Sequence, residues 1–345
     1  MFFARFYEKS EKKHHVSYEK RPSDMGQNVY SLFYRRYSVT FSEVFRADGK
    51  HAVNVILSCV LGWFVTVVLV RYCEIGLKST PVRRRFESIL KENMLTMLAA
   101  DGIEALISFA DARYYIETNN VEGCIRSVKK VFGIGSLSVA EECSSDMEDI
   151  CSTAAEYSVG RINEGESFAV KARREGSQPY TSMDVGREAG SAIFIRNEEK
   201  NVKVDLNTPD KTFFIEVRNN KAYIFDRYIQ CHGGLPLGSQ GRVVAESYDM
   251  RGTVSAWMMM KRGCRVAVIG DYNTDLLRKY DPNLRIVNKA DEVRDVLGVV
   301  KGTSLKDLDS VDVSGYDVPV YFPTIGMSDG DVVSMYDVIS DTESF

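Results

Sequence analysis

The chain has 345 residues, 44% of them hydrophobic and 27% charged, which excludes a disordered or fibrous protein and suggests two or three domains with cores of their own. A formal net charge of −4 excludes a globally basic surface, so any attraction for nucleic acid must be local. Seven cysteines without a CxxC, and four histidines of which only His232 lies beyond His51, argue against a disulfide framework and a zinc site, and for a reducing, cytoplasmic setting. No residue stands out as a catalytic group or a metal ligand. The fold class expected is α/β, an α+β module followed by a parallel-sheet domain.

Residues 1–65 read as an extension. They are polar, aromatic and basic at first, and then apolar in "AVNVILSCVLGWFVTVVLV" (52–70). That run is long enough for a bilayer, but β-branched residues crowd its second half, so a buried strand behind an apolar leader competes with a membrane span. No Met lies between Met25 and Met94, and the mature chain is expected to start near residue 65. "TVVLVRYCEIGLK" then predicts a strand. Ser79-Thr80-Pro81 starts a helix, with Thr80 as cap and Val82, Phe86, Ile89, Leu90 and Met97 on its apolar stripe. "ARYYIET" and "VEGCIRSVKKVFGI" add a strand and a helix, giving a β-α-β-α half compatible with a ferredoxin-like unit. Ser144, Ser145 or Asp146 caps the helix of "SSDMEDICSTAAEYSVGRI". "SFAVKARREG" alternates as a strand, with Lys171 and Arg173 opposite Phe168, Val170 and Ala172. Thr181 or Ser182 caps the next helix. "TFFIEVRNNKAYIFDRYI" predicts a hairpin turning at Asn219-Asn220, and the glycine-rich "CHGGLPLGSQG" marks a boundary. Beyond it "RVVAES", "VSAWMMMKRG", "RVAVIGD", "ADEVRDVLG", "VVKGTS" and "VPVYFP" alternate between strand and helix, as in a parallel sheet.

The segments "SFAVKARREGSQPYTSMDVGREAGSAI", "VDLNTPDKTFFIEVRNNKAYIF" and "GGLPLGSQGRVV" resemble the THUMP domain of tRNA 4-thiouridine synthases. "RYCEIGLKSTPVRRRFESILKENM" resembles the ferredoxin-like domain that precedes it in that family. "AWMMMKRG" and "VPVYFPTIGM" resemble parts of the adenine-nucleotide alpha-hydrolase (PP-loop) domain that follows. The resemblance covers 66 to about 340 and implies a ferredoxin-like domain over 66–124, a THUMP domain over 125–231 and a Rossmann-like PP-loop domain over 232–345. In the family the first two domains bind the acceptor end of tRNA. The third activates a uridine with ATP and Mg, and a cysteine persulfide delivers sulfur, in 4-thiouridine formation and in thiamine biosynthesis.

Expected RNA contacts are Arg71, Lys78, Arg83, Arg84, Arg85, Lys171, Arg173, Arg174 and Arg187, which supply attraction for phosphate. Tyr180, Thr181 and Ser182 would bring a helix N-terminus near it. A charge run such as Arg83-Arg84-Arg85 also fits a plain solvated face. The nucleotide loop departs from the family's Ser-Gly-Gly-x-Asp-Ser. Here it reads Ser247-Tyr248-Asp249-Met250-Arg251-Gly252, and "KGTSLKDLDSV" keeps only Gly302 and Leu305 of a second motif. Ser247, Gly252 and Gly302 remain as a degenerate site, and no cysteine follows Cys264. The function expected is tRNA binding without ATP-dependent activity and without a cofactor, alongside a sulfur-donor protein or a separate catalytic partner. An active ATP-dependent sulfurtransferase and a membrane-anchored RNA-binding protein are the alternatives.

Overall fold

The computed structural model describes residues 65–341. Its first half is one mixed sheet, which begins with β1 (Val65–Tyr72), α1 (Thr80–Ala100), β2 (Leu106–Ala110), β3 (Arg113–Glu117), α2 (Val121–Val128) and β4 (Ile134–Ser144). The strand order β2-β3-β1-β4 completes the β-α-β-β-α-β pattern of a ferredoxin-like unit. The end of the apolar run at 52–70, residues 65–70, is therefore a strand, with Val67, Val68, Leu69 and Val70 buried. Residues 52–64 of that run, with the remainder of the extension, lie outside the described residues. No helix among the described residues is long and apolar enough to cross a membrane.

Several local expectations shift. The cap of α1 falls on Ser79, not Thr80, with Pro81 in the first turn. Phe86, Leu90 and Met97 are buried, but Val82 is exposed. The strand β2 is not among the elements expected from the sequence. Four of its five residues are exposed, so it carries no alternation, and it turns into β3 through Asp111 and Ala112. Both have positive φ, without the glycine that usually signals such a turn.

The sheet continues through α3 (Met147–Ser158), β5 (Ser167–Glu175), α4 (Ser182–Arg196), β6 (Lys203–Val204), β7 (Lys211–Arg218), β8 (Lys221–Phe225) and β9 (Ile229–Gln230). The expected hairpin is present, and Asn219 at its turn has φ 50. β4 joins the halves. Val65 to Tyr72 of β1 pair with Glu142 to Ile134 on one edge, while Glu141 to Ser144 pair with β8 on the other. A single strand thus belongs to both halves, and the order runs unbroken as β2-β3-β1-β4-β8-β7-β5-β6.

An ion cluster fixes this junction. Glu216 of β7 accepts hydrogen bonds from Nε and Nη2 of Arg71 in β1, at 2.9 and 2.7 Å. Its other oxygen lies 3.3 Å from Nε of Arg218 and 3.8 Å from Nε of Arg113 in β3. Arg71 also bonds Ser138 Oγ at 3.0 Å and stacks over Phe225 and Tyr228, 4.8 and 4.6 Å from the ring centres. Burial opposes ionisation of Glu216, but the arginines, Arg71 foremost, outweigh it and hold the carboxyl below its usual range. Burial and the neighbouring Arg218 push Arg113 the other way, below the ordinary guanidinium value.

The second half is an all-parallel sheet of order β12-β11-β10-β13-β14. Its elements are β10 (Arg242–Glu246), α5 (Met250–Lys261), β11 (Arg265–Ile269), α6 (Thr274–Arg278), β12 (Arg285–Ile286), β13 (Val296–Val300), β14 (Val320–Tyr321) and α7 (Asp329–Ser340). "ADEVRDVLG" is not a helix. Only a short 3₁₀ turn, Ala290–Glu292, precedes β13, because the apolar Val293 and Val296 here serve the sheet. Phe132, between α2 and β4, inserts into this domain's core. It stacks on Tyr280 (centroids 5.5 Å) and meets Trp257 edge-on (5.4 Å).

Both the inserted ring and the buried carboxylate are open to test. Phe132→Ala should cost about 3–5 kcal/mol in urea unfolding, because it empties a cavity between the halves; a change below about 1 kcal/mol would show that the ring bears little of the packing. Glu216→Gln should cost about 3–5 kcal/mol, since it leaves buried guanidinium groups without their counter-charge. The depressed Glu216 pKa means that wild-type stability from this cluster is present above the unfolded glutamate value, about 4.3, and is lost as pH falls through the lower folded value. The variant's unfolding midpoint should lack that acid-side fall; an identical pH profile for both proteins would contradict the assignment.

Candidate nucleic-acid interface

The expected cations divide into free and engaged groups. Lys78, Arg84, Arg85, Lys171, Arg173 and Arg174 are exposed. Lys171 and Arg173 share one face of β5, and β5 pairs in parallel with β7 so that Arg173 lies beside Glu216. Arg83 is half-buried, 3.8 Å from Glu87 one turn along α1. Arg174 is partly spent on the loop that follows, since its Nη1 donates to the Gly176 carbonyl at 2.8 Å.

Other expected contacts are structural. Arg71 is buried against Glu216 and cannot reach a phosphate, because its alternation along β1 aims it at the neighbouring half of the sheet. Thr181 is the cap of α4 and forms a reciprocal capping box with Asp184; Asp184 N donates to Thr181 Oγ1 at 3.2 Å, and Thr181 N to Asp184 Oδ2 at 2.9 Å. The helix N-terminus near Tyr180, Thr181 and Ser182 is thus already supplied with a carboxylate. Arg187 is paired with Asp184 at 3.3 Å and Glu188 at 3.2 Å, and the Tyr180 hydroxyl donates to the Ser145 carbonyl. Sequence reasoning missed Arg113 and Arg218, the arginines that join Arg71 around Glu216. For Arg218 the signal was its place with Phe214 and Glu216 in alternation with Phe213, Ile215 and Val217; Arg113 carried none.

In the parallel domain the order of strands reverses between β10 and β13, and the crevice at their carboxyl ends is the usual ligand position of such sheets. Here the chain itself fills it. Asp249 caps α5, and its Oδ1 accepts the Gly252 amide at 2.7 Å. Ser247 is fully buried, and its hydroxyl pairs with Thr253 Oγ1 at 2.8 Å. A Cβ on Gly302 would lie 2.4 Å from the Gly252 nitrogen, so the two glycines are needed for backbone contact across the crevice. Ser247, Gly252 and Gly302 therefore serve packing. Arg251 is tied down by Nη1 bonds to the Thr324 and Met327 carbonyls, each at 3.1 Å, and an Nη2 bond to Asp329 at 2.6 Å. The Gly252 amide, the Ser247 hydroxyl and the Arg251 guanidinium, which could meet a phosphate, all have partners within the chain.

Cys264 is buried, and burial pushes its thiol pKa up, which opposes thiolate chemistry. No disulfide joins the six cysteines among the described residues. No group of His, Cys, Asp or Glu among these residues could hold a metal ion.

Comparison with known proteins matches two family models, a ThiI ferredoxin-like domain over residues 67–138 and a THUMP domain over 144–226. The first model includes α2 and most of β4 with the ferredoxin-like unit. A probable tRNA sulfurtransferase of Methanosarcina acetivorans is 42% identical over 207 residues, 59% of this chain and 50% of that protein. One from Methanocaldococcus jannaschii is 35% identical over 61% of each chain. The chain thus spans about half the length of such relatives. Among solved structures, PH1313 from Pyrococcus horikoshii superposes with a TM-score of 0.68 at 29% identity, covering 79% of this chain and 99% of that one. A 4-thiouridine synthetase solved with RNA and bound ATP shares the fold, with a TM-score of 0.65 at 23% identity over 81% of this chain and 85% of that one. The chain carries a ThiI ferredoxin-like domain and a THUMP domain, and over that part it is similar to probable tRNA sulfurtransferases.

Proposed function

We propose that this chain binds tRNA through its ferredoxin-like and THUMP domains and does not itself activate a uridine with ATP. The observation that carries the reading is the contrast between its two candidate sites. In the matched domains Lys78, Arg84, Arg85, Lys171 and Arg173 are exposed, ready for the phosphate contacts that dominate RNA affinity. In the crevice of the parallel sheet, Asp249 holds the amide that an anion would need and Arg251 is anchored to the loop before α7. A carboxylate at a helix N-terminus competes directly with a bound phosphate. The chemistry then falls to a separate catalytic partner and a sulfur-donor protein, in the cytoplasm where tRNA is found.

Replacing Arg83, Arg84 and Arg85 together by Ala should weaken tRNA binding. It should also flatten the dependence of affinity on salt, by about 0.7 to 0.9 in slope for each phosphate that the variant no longer neutralises. Filter binding across a salt series measures both, and an unchanged affinity at low salt would reduce the triplet to a solvated face. Calorimetry with Mg-ATP, with and without tRNA, should show no micromolar binding. Such binding, or release of pyrophosphate, would establish an active ATP-dependent enzyme instead.

A further inference from the structure

We infer that the parallel-sheet domain carries a phosphoanion pocket at the amino ends of its strands, the edge opposite the crevice expected to hold a nucleotide. Three strands open on arginine: Arg242 begins β10, Arg265 begins β11 and Arg285 begins β12. Arg294 lies two residues before β13. With Asn283 and Glu292, these four arginines line one open cavity of about 520 Å³, a volume within the range of small-ligand sites. Its lining has four guanidinium groups and one carboxylate.

The arginines are poorly satisfied from within the chain. Arg242 and Arg265 are register partners on adjacent parallel strands, so their side chains leave the same face with backbones about 4.8 Å apart. Like charges so placed repel one another, and an anion between them removes the penalty. Their nearest acids do not close hydrogen bonds. Arg242 is 3.9 Å from Asp295, and Arg265 is 3.8 Å from the buried Asp281, both beyond hydrogen-bond range. Arg285 makes one long bond, 3.4 Å to the Glu292 carbonyl. The Arg294 side chain has no hydrogen bond or ion pair among the described residues. The Glu292 carboxylate is turned to the backbone, accepting the Asn288 and Lys289 amides at 3.1 Å each. Several fork-shaped donors thus converge on one space with little to receive them, the arrangement suited to an extended phosphate group. The ligand is a chain of phosphates, supplied either by a free polyphosphate or by an RNA backbone. The pocket does not depend on tRNA binding by the other domains.

The full chain and its Arg285→Gln/Arg294→Gln variant test this, with inorganic tripolyphosphate and unmodified tRNA as separate probes. Both substituted positions are exposed, and circular dichroism and thermal melting should match the wild type. Arg126→Gln/Lys203→Gln removes the same charge from surfaces away from the cavity and is the control. If the source is a free polyphosphate, tripolyphosphate binding in calorimetry falls at least tenfold in the cavity variant and little in the control, while tRNA affinity holds. If it is RNA, tRNA affinity falls with a shallower salt slope in the cavity variant alone. Equal effects of the two variants on both probes, or no effect of either, would overturn the pocket.

Discussion

Glu216 is the constraint on which the first half of the molecule depends. A carboxylate buried in a sheet is costly unless it is paired and hydrogen-bonded. Here guanidinium groups from three strands converge on it: Arg71 from β1, Arg113 from β3 and Arg218 from β7. Two of those strands belong to the ferredoxin-like unit, and the third, like Glu216, to the THUMP part. Glu216 meets its counter-charges from β1 and β3 only when the two parts are correctly joined, so the cluster favours one register for the junction as well as stabilising it.

In the parallel domain the crevice at the carboxyl ends of the strands is occupied by internal contacts. Gly252 and Gly302 persist because backbone passes backbone between them, a steric need that does not involve a ligand. Asp249 and Arg251, which differ from the family's loop, each satisfy partners of the chain. Both residues are self-consistent as structure, and the sheet requires neither of them to meet a ligand.

Much of the architecture could be read from the sequence because periodicity and turn chemistry are local. The strand of Lys171 and Arg173, the turn at Asn219 and the cap at Thr181 all carry such signals. β2 carried none, since one edge strand with a single buried residue has no alternation to detect. The site was less legible for a related reason. Arg71 and Arg173 look alike in sequence, each a basic residue in a strand, and only pairing with distant strands separates the buried ion-pair partner from the exposed cation. The arginines that open β10, β11 and β12 are visible as residues, but their convergence requires the register of a parallel sheet.

The strand shared between the two halves has a consequence for recognition. Because β4 bonds to β1 on one edge and to β8 on the other, no flexible linker separates the ferredoxin-like surface from the THUMP surface. The distance from the Arg84-Arg85 turn of α1 to the Lys171-Arg173 edge of β5 is set when the chain folds. A ligand reaching both therefore meets a gauge of fixed length. The entropy of aligning the two surfaces has been spent beforehand, and a ligand is accepted by whether its own spacing fits. Discrimination of that kind tests dimension.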